Sequence, residues 1–172
     1  AAEEMGYVPS ATARRLQKGR TDTIGFVIPT RGPRFSDPFF SEFLAGVGNE
    51  AARQGYDLLV STHAPGDEEK EAYLKTIRSR RVDGFVIVRT RRRDPRIVTL
   101  LEHDYPFAVY GRIENGNDFP LVDVDSESGI GLAVEHLIQF GHTRLACIAA
   151  PSDLMLGYFR LKGFTESLAA HG

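Results

Sequence analysis

IGFVI, residues 24–28, is an unbroken run of apolar and small residues. Alternation would mark a strand with one wet face. A short continuous run reads instead as a strand buried on both faces. Beyond it the period changes. Phe40, Phe43, Leu44, Val47 and Ala51 recur at helical spacing, and Gly55 stops that helix. Residues 56–60 (YDLLV) are the next strand. Residues 67–80 form a helix with an acidic start and a basic end, the order its dipole favours, with Leu74 and Ile77 inward. Residues 84–88 are a third strand. Asp94-Pro95 then opens a helix, Asp as N-cap and Pro at the first helical position, with Ile97, Leu100 and Leu101 inward. Strands at 107–110 and 121–124 follow. Asp125 or Ser126 caps a helix carrying Ile130, Ala133, Val134, Leu137 and Ile138, and Gly141 ends it. Residues 145–149 read as a strand and 157–170 as a last helix. Strand and helix alternate throughout, which predicts an α/β fold with a parallel sheet and helices on both faces.

Composition narrows the function classes. With 172 residues, 42% of them hydrophobic and 26% charged, the chain matches a soluble globular protein of one domain or two small ones. A net charge of −2 excludes a polycation, so any affinity for nucleic acid must be local. The single cysteine, Cys147, rules out an intrachain disulfide and fits a reducing, cytoplasmic setting; its apolar neighbours predict a buried packing residue. No apolar run approaches the ~20 residues that span a bilayer, so no membrane is expected. There is no signal-peptide pattern. The chain starts without Met and stops just after a helical pattern, and both ends read as cuts in something longer. Nucleophile-elbow, zinc-protease and phosphate-loop motifs are lacking, and the five histidines have no metal-ligand spacing. Gly129-Ile130-Gly131 is half a dinucleotide fingerprint with Val134 at the third glycine; helix packing explains it better. No enzyme, metal or cofactor is expected.

In a parallel sheet, ligands bind at the carboxyl ends of the strands. Arg31 and Arg34 follow the first strand, Arg89, Arg91, Arg92 and Arg93 the third, and Arg112 the fourth. Two readings stand: solvated lip residues partly neutralised by Asp37, Asp94 and Glu114, or donors to an anionic ligand, with Arg89 nearest the strand end.

Residues 8–20 carry Arg14, Arg15, Lys18 and Arg20 and no acid. Ser10 caps a helix of about two turns with no apolar face, too short to be stable alone. It is either a frayed arm or a helix that docks on an anion or on a twin of itself.

The run Tyr7-Val8-Pro9-Ser10-Ala11-Thr12-Ala13-Arg14-Arg15-Leu16, followed by Arg20-Thr21 and Ile24-Gly25, resembles the hinge segment of LacI/GalR-family bacterial transcriptional regulators. Val82-Asp83-Gly84, Val122-Asp123-Val124-Asp125, Gly141-His142-Thr143-Arg144, Pro151 and Arg160-Leu161-Lys162-Gly163-Phe164 also fit, so the resemblance covers essentially the whole chain. It implies a periplasmic-binding-protein-like effector domain of two lobes. Residues 1–22 would hold the end of a helix-turn-helix domain and the hinge, 23–140 the first lobe, and 141–172 the start of the second.

The resemblance also implies roles. A homodimer, paired through the helices near Phe40 and Asp67, would bind operator DNA under control of a sugar-like effector held between the lobes. Leu16 would wedge into the minor groove, and Ala13 would let paired hinge helices approach. Ser10 would cap, and Arg14, Arg15, Lys18 and Arg20 would contact phosphates. Phe39 and Phe40 match aromatic positions against the effector, although Phe40 also reads as core. Arg160 matches an arginine reaching the effector from the second lobe. Arg112 stands where the family often has Asp-Arg; Gly111 replaces that aspartate. The alternative class is a periplasmic sugar-binding protein without a DNA role, which has no use for the basic hinge.

Overall fold

The computed structural model describes residues 19–29, 38–114 and 118–171. Strands and helices alternate as β1 (Thr23–Pro29), α1 (Pro38–Arg53), β2 (Asp57–His63), α2 (Asp67–Arg78), β3 (Gly84–Ile87), α3 (Pro95–Glu102), β4 (Phe107–Tyr110), β5 (Leu121–Val122), α4 (Ser126–Gln139) and α5 (Met155–Ala170). The five strands form one sheet in the order β2-β1-β3-β4-β5. The registered pairs are parallel, with Ile24 beside Leu58 and Gly84, and Val109 beside Leu121.

The chain divides into two compact units. The first runs to Val86 and includes Thr99–Pro106; the second comprises Ile87–Val98 and Phe107–Gly172. In the first unit, Phe26, Tyr73, Val82, Phe85 and Leu100 are buried to within a few per cent of zero exposure. Three rings form a tilted stack through this core: Tyr73 meets Phe85 at 4.8 Å, and Phe85 meets Tyr105 at 5.6 Å between centroids. Gly25 is the small residue this core requires: a Cβ there would sit 2.7 Å from the Phe85 ring. That is why the IGFVI run carries a glycine at its second position.

The second unit packs α4 against α5. A Cβ on Gly163 would lie 2.2 Å from the Glu127 carbonyl oxygen, so α5 meets the α4 backbone at a position that has room for no side chain. The Asp125 carboxylate caps α4 by accepting from the Ser128 amide, and Gly141, at φ 83, turns the chain away after it.

Three expectations are corrected. Residues 145–149 are not a strand, with Ile148 fully exposed. Cys147 is exposed rather than packed. An apolar β-prone segment becomes a strand only when its backbone finds a ladder partner, and no described strand pairs with this one. Leu101 is 56% exposed, not inward. The buried face of α3 centres on Arg96 and Leu100, which turns Leu101 toward solvent.

Candidate functional site

Of the hinge residues, Ser10, Ala13, Arg14, Arg15, Leu16 and Lys18 lie outside the described residues, as do Arg31 and Arg34. Arg20 is described. Its guanidinium donates to the Tyr56 hydroxyl and lies 4.0 Å from Asp83. Asp83 in turn accepts from the Thr21 amide at 2.7 Å, the Thr21 hydroxyl at 2.9 Å and the Asp22 amide at 2.8 Å. The chain is thus clamped at its entrance to β1. Burial pushes the Asp83 carboxyl up, but these donors and the Arg20 charge outweigh it and hold it below its usual range.

Phe39 and Phe40 belong to the first unit. Phe40 is 5% exposed and lies in the core. Phe39 is half-buried; its ring stacks on Phe43 at 5.4 Å and meets Phe40 edge-on. Of the two, Phe39 keeps the accessible face.

Arg89, Arg112 and Arg160 belong to the second unit. Arg89 is exposed, with a left-handed backbone (φ 52), and its carbonyl accepts from Arg96 at 3.0 Å. The loop after β3 is held by a buried pair that sequence reasoning missed. Asp94 accepts from Arg96 Nε at 2.9 Å and Nη2 at 2.7 Å, and from the amides of Arg91 and Arg96. Both side chains are 1% exposed. Burial raises the Asp94 carboxyl, yet Arg96 and the two amides hold it below the ordinary carboxylate range. The local signal is Asp94-Pro95-Arg96 itself: a carboxylate at a helix start with a guanidinium two residues on.

The same loop is stitched to its neighbours. The Thr90 hydroxyl donates to the Arg112 carbonyl at 3.0 Å, the Met155 amide to the Thr90 carbonyl at 2.9 Å, and the Arg92 amide to the Asp153 carbonyl at 3.1 Å. Arg91 and Leu154 form an antiparallel bridge. The loops after β3 and β4 and the start of α5 therefore converge.

Two arginines there lie over aromatic rings. Arg112 sits 3.9 Å from the Phe159 ring centroid, with Nη2 3.2 Å from Glu127 and Nε 3.3 Å from Asp123. The Nε–H is buried and makes no hydrogen bond among the described residues, so the Asp123 contact is one of charge. Glu127 also takes Lys162 at 2.6 Å. Arg92 sits 4.7 Å from the Tyr158 centroid and donates in a fork to Glu114. Donation from Arg92, then from Tyr158, lowers the Glu114 carboxyl. Arg160 is exposed on α5 beside Phe159 in sequence. Sequence reasoning misses Glu127, Lys162, Tyr158 and Phe159 as site residues, since nothing local marks their pairing with loops far along the chain. Among the described residues, no group of three His, Cys, Asp or Glu could hold a metal ion.

The family described as periplasmic binding proteins and sugar-binding domain of the LacI family matches residues 21–172. The chain belongs to this family. Among LacI-family relatives, the transcriptional regulator AglR of Rhizobium meliloti is 39% identical over all of this chain and 48% of its own length. CelR of Thermobifida fusca is 35% identical over all of this chain and 51% of its own. Solved structures agree. A LacI-family regulatory protein from Chloroflexus aggregans superposes with TM-score 0.77 at 33% identity, covering 87% of this chain and 53% of its own. A CelR–cellobiose complex gives 0.77 at 31%, covering 99% and 50%. The chain spans about half the length of the curated relatives it matches. The LacI-family match confirms the α/β, periplasmic-binding-protein-like fold read from the sequence.

Proposed function

We propose that this chain is the hinge and part of the effector-binding domain of a transcriptional regulator whose operator affinity is set by a sugar or sugar derivative. The observation that carries the effector class is the pair of arginine–aromatic stacks bordered by carboxylates, Arg112 on Phe159 with Asp123 and Glu127, and Arg92 on Tyr158 with Glu114. Guanidinium donors and carboxylate acceptors suit hydroxyl groups, and ring faces suit the apolar face of a sugar. One solved relative is a CelR–cellobiose complex, which supports the same class.

The regulator works as a homodimer through α1 and α2, with Ser10 to Arg20 as hinge and Leu16 as the minor-groove wedge. Arg89 and Arg160 are further effector contacts of the second unit, and Phe39 is, separately, an aromatic effector contact of the first; the role is binding, not catalysis. The relatives' names as helix-turn-helix regulators favour this over a periplasmic solute-binding role. The arginine-rich loops alone would suit an anionic effector, but Arg92 and Arg112 both carry carboxylate partners, which favours a neutral sugar.

Thermal-shift titration of the complete regulator tests this. A neutral oligosaccharide should raise Tm by mass action, more than its phosphorylated counterpart at equal concentration. Arg112→Ala should reduce the sugar's affinity at least about tenfold, the loss of a charge-assisted hydrogen bond. A preference for the phosphate would reject the neutral-sugar reading; no response to any sugar would reject the effector class.

A further inference from the structure

An open cleft of about 630 Å³ lies in the first unit, lined by residues that include Arg20, Thr23, Asp57, Arg80 and Arg81. Thr23 begins β1 and Asp57 begins β2, so this is the amino edge of the sheet, opposite the edge where effectors bind. The basic segment enters the fold here. We infer that Arg80 and Arg81 form a second, sequence-independent contact to the phosphate backbone of the DNA that the hinge holds. This rests on the regulator reading above.

Three observations carry it. Arg80 and Arg81 are both exposed, and neither has a carboxylate within ion-pair distance among the described residues. Of the nearby acids, Asp83 is held by Thr21, Asp22 and Arg20, and Asp57, which lines the same cleft, forms no ion pair with either arginine among the described residues. Arg80 also has a left-handed backbone, φ 46, just past the end of α2, where Ser79 is the C-cap. Glycine is the unstrained residue at that position, so a positive side chain stands where the backbone disfavours any side chain. Finally, reach is short. Lys18 is two residues from Arg20, and each residue spans at most ~3.6 Å, so a duplex held at residues 14–18 is within roughly 25 Å of the cleft mouth. A phosphate contact there adds affinity and salt dependence without reading sequence.

The experiment uses the complete regulator and a duplex of about 40 base pairs that the wild-type protein selects from a random pool, long enough to reach beyond the hinge site. Its affinity is measured by anisotropy across a range of KCl concentrations around physiological salt. The Arg80→Gly, Arg81→Gln variant should bind at least about tenfold more weakly at physiological salt. Its log–log salt slope should flatten by about 0.9 for each phosphate no longer neutralised, or about 2 per protomer. Arg80→Lys with Arg81→Lys should restore the slope. Tm should be no lower than wild type in both variants, and higher where glycine relieves the left-handed backbone at residue 80; the sugar-induced shift should match wild type in both, which separates a missing phosphate contact from a failure to fold. A wild-type slope in the neutral variant, with DNA still bound, overturns this inference alone. A wild-type protein that selects no duplex overturns the regulator reading and this inference together.

Discussion

Asp83 shows how one carboxylate fixes the path of the chain into β1. Its two oxygens take three donors from Thr21 and Asp22, and Arg20 stands beside it. Asp83→Ala should cost about 1–3 kcal/mol, because it leaves two backbone amides without their acceptor. Urea denaturation at neutral pH measures it. The pH dependence has a definite sign. The folded carboxyl is depressed, so its stabilisation is complete above the unfolded carboxylate range and disappears as pH falls through the folded value. The gap between wild type and Asp83→Asn should therefore close in acid. A gap that widened in acid would contradict the latch. Cys147 gives a simpler residue-scale test. It is exposed, so a thiol reagent should label it fully in the native 172-residue chain without denaturant. Protection from the reagent would show that residues 145–149 are covered after all.

At the scale of elements, two junctions hold the second unit. The first is the start of α3. Asp94 and Arg96 are a buried ion pair, and removing either partner leaves an uncompensated charge, at about 3–5 kcal/mol. Asp94→Ala should lose that much, while Asp94→Leu with Arg96→Met should recover most of it. Equal losses in the single and double variants would reject the pair as the cause. The second junction is Gly163 of α5 against Glu127 of α4. Gly163→Ala should cost about 1–3 kcal/mol by overpacking. Because Glu127 also holds Arg112 and Lys162, the same variant should weaken sugar binding. Melting curves and sugar titration of one preparation separate the two effects.

At the scale of the molecule, the hinge reading needs two chains side by side. A two-fold operator is matched by isologous pairing, so the complete regulator should be a dimer by light scattering at micromolar concentration. Leu16→Ala should weaken operator binding and reduce the DNA bend while leaving the sugar-induced Tm shift intact. A monomer, or an unchanged bend, would contradict this assembly.

The alternation of strand and helix, and hence a parallel α/β fold, was legible in the sequence because periods and caps act over a few residues. IGFVI, Asp94-Pro95, Asp125, Gly55 and Gly141 each carry their own local reason. The family resemblance was legible because its motifs are short and ordered along the chain. Strand order, the burial of Arg96 and the stacking of Arg92 and Arg112 on Tyr158 and Phe159 were decided only by tertiary structure. An arginine is buried, or an aromatic becomes a platform, according to the partner that folding brings from far along the chain. Residues 145–149 make the same point in reverse: their composition suits a strand, but a strand is a pairing between segments, and composition alone supplies no partner.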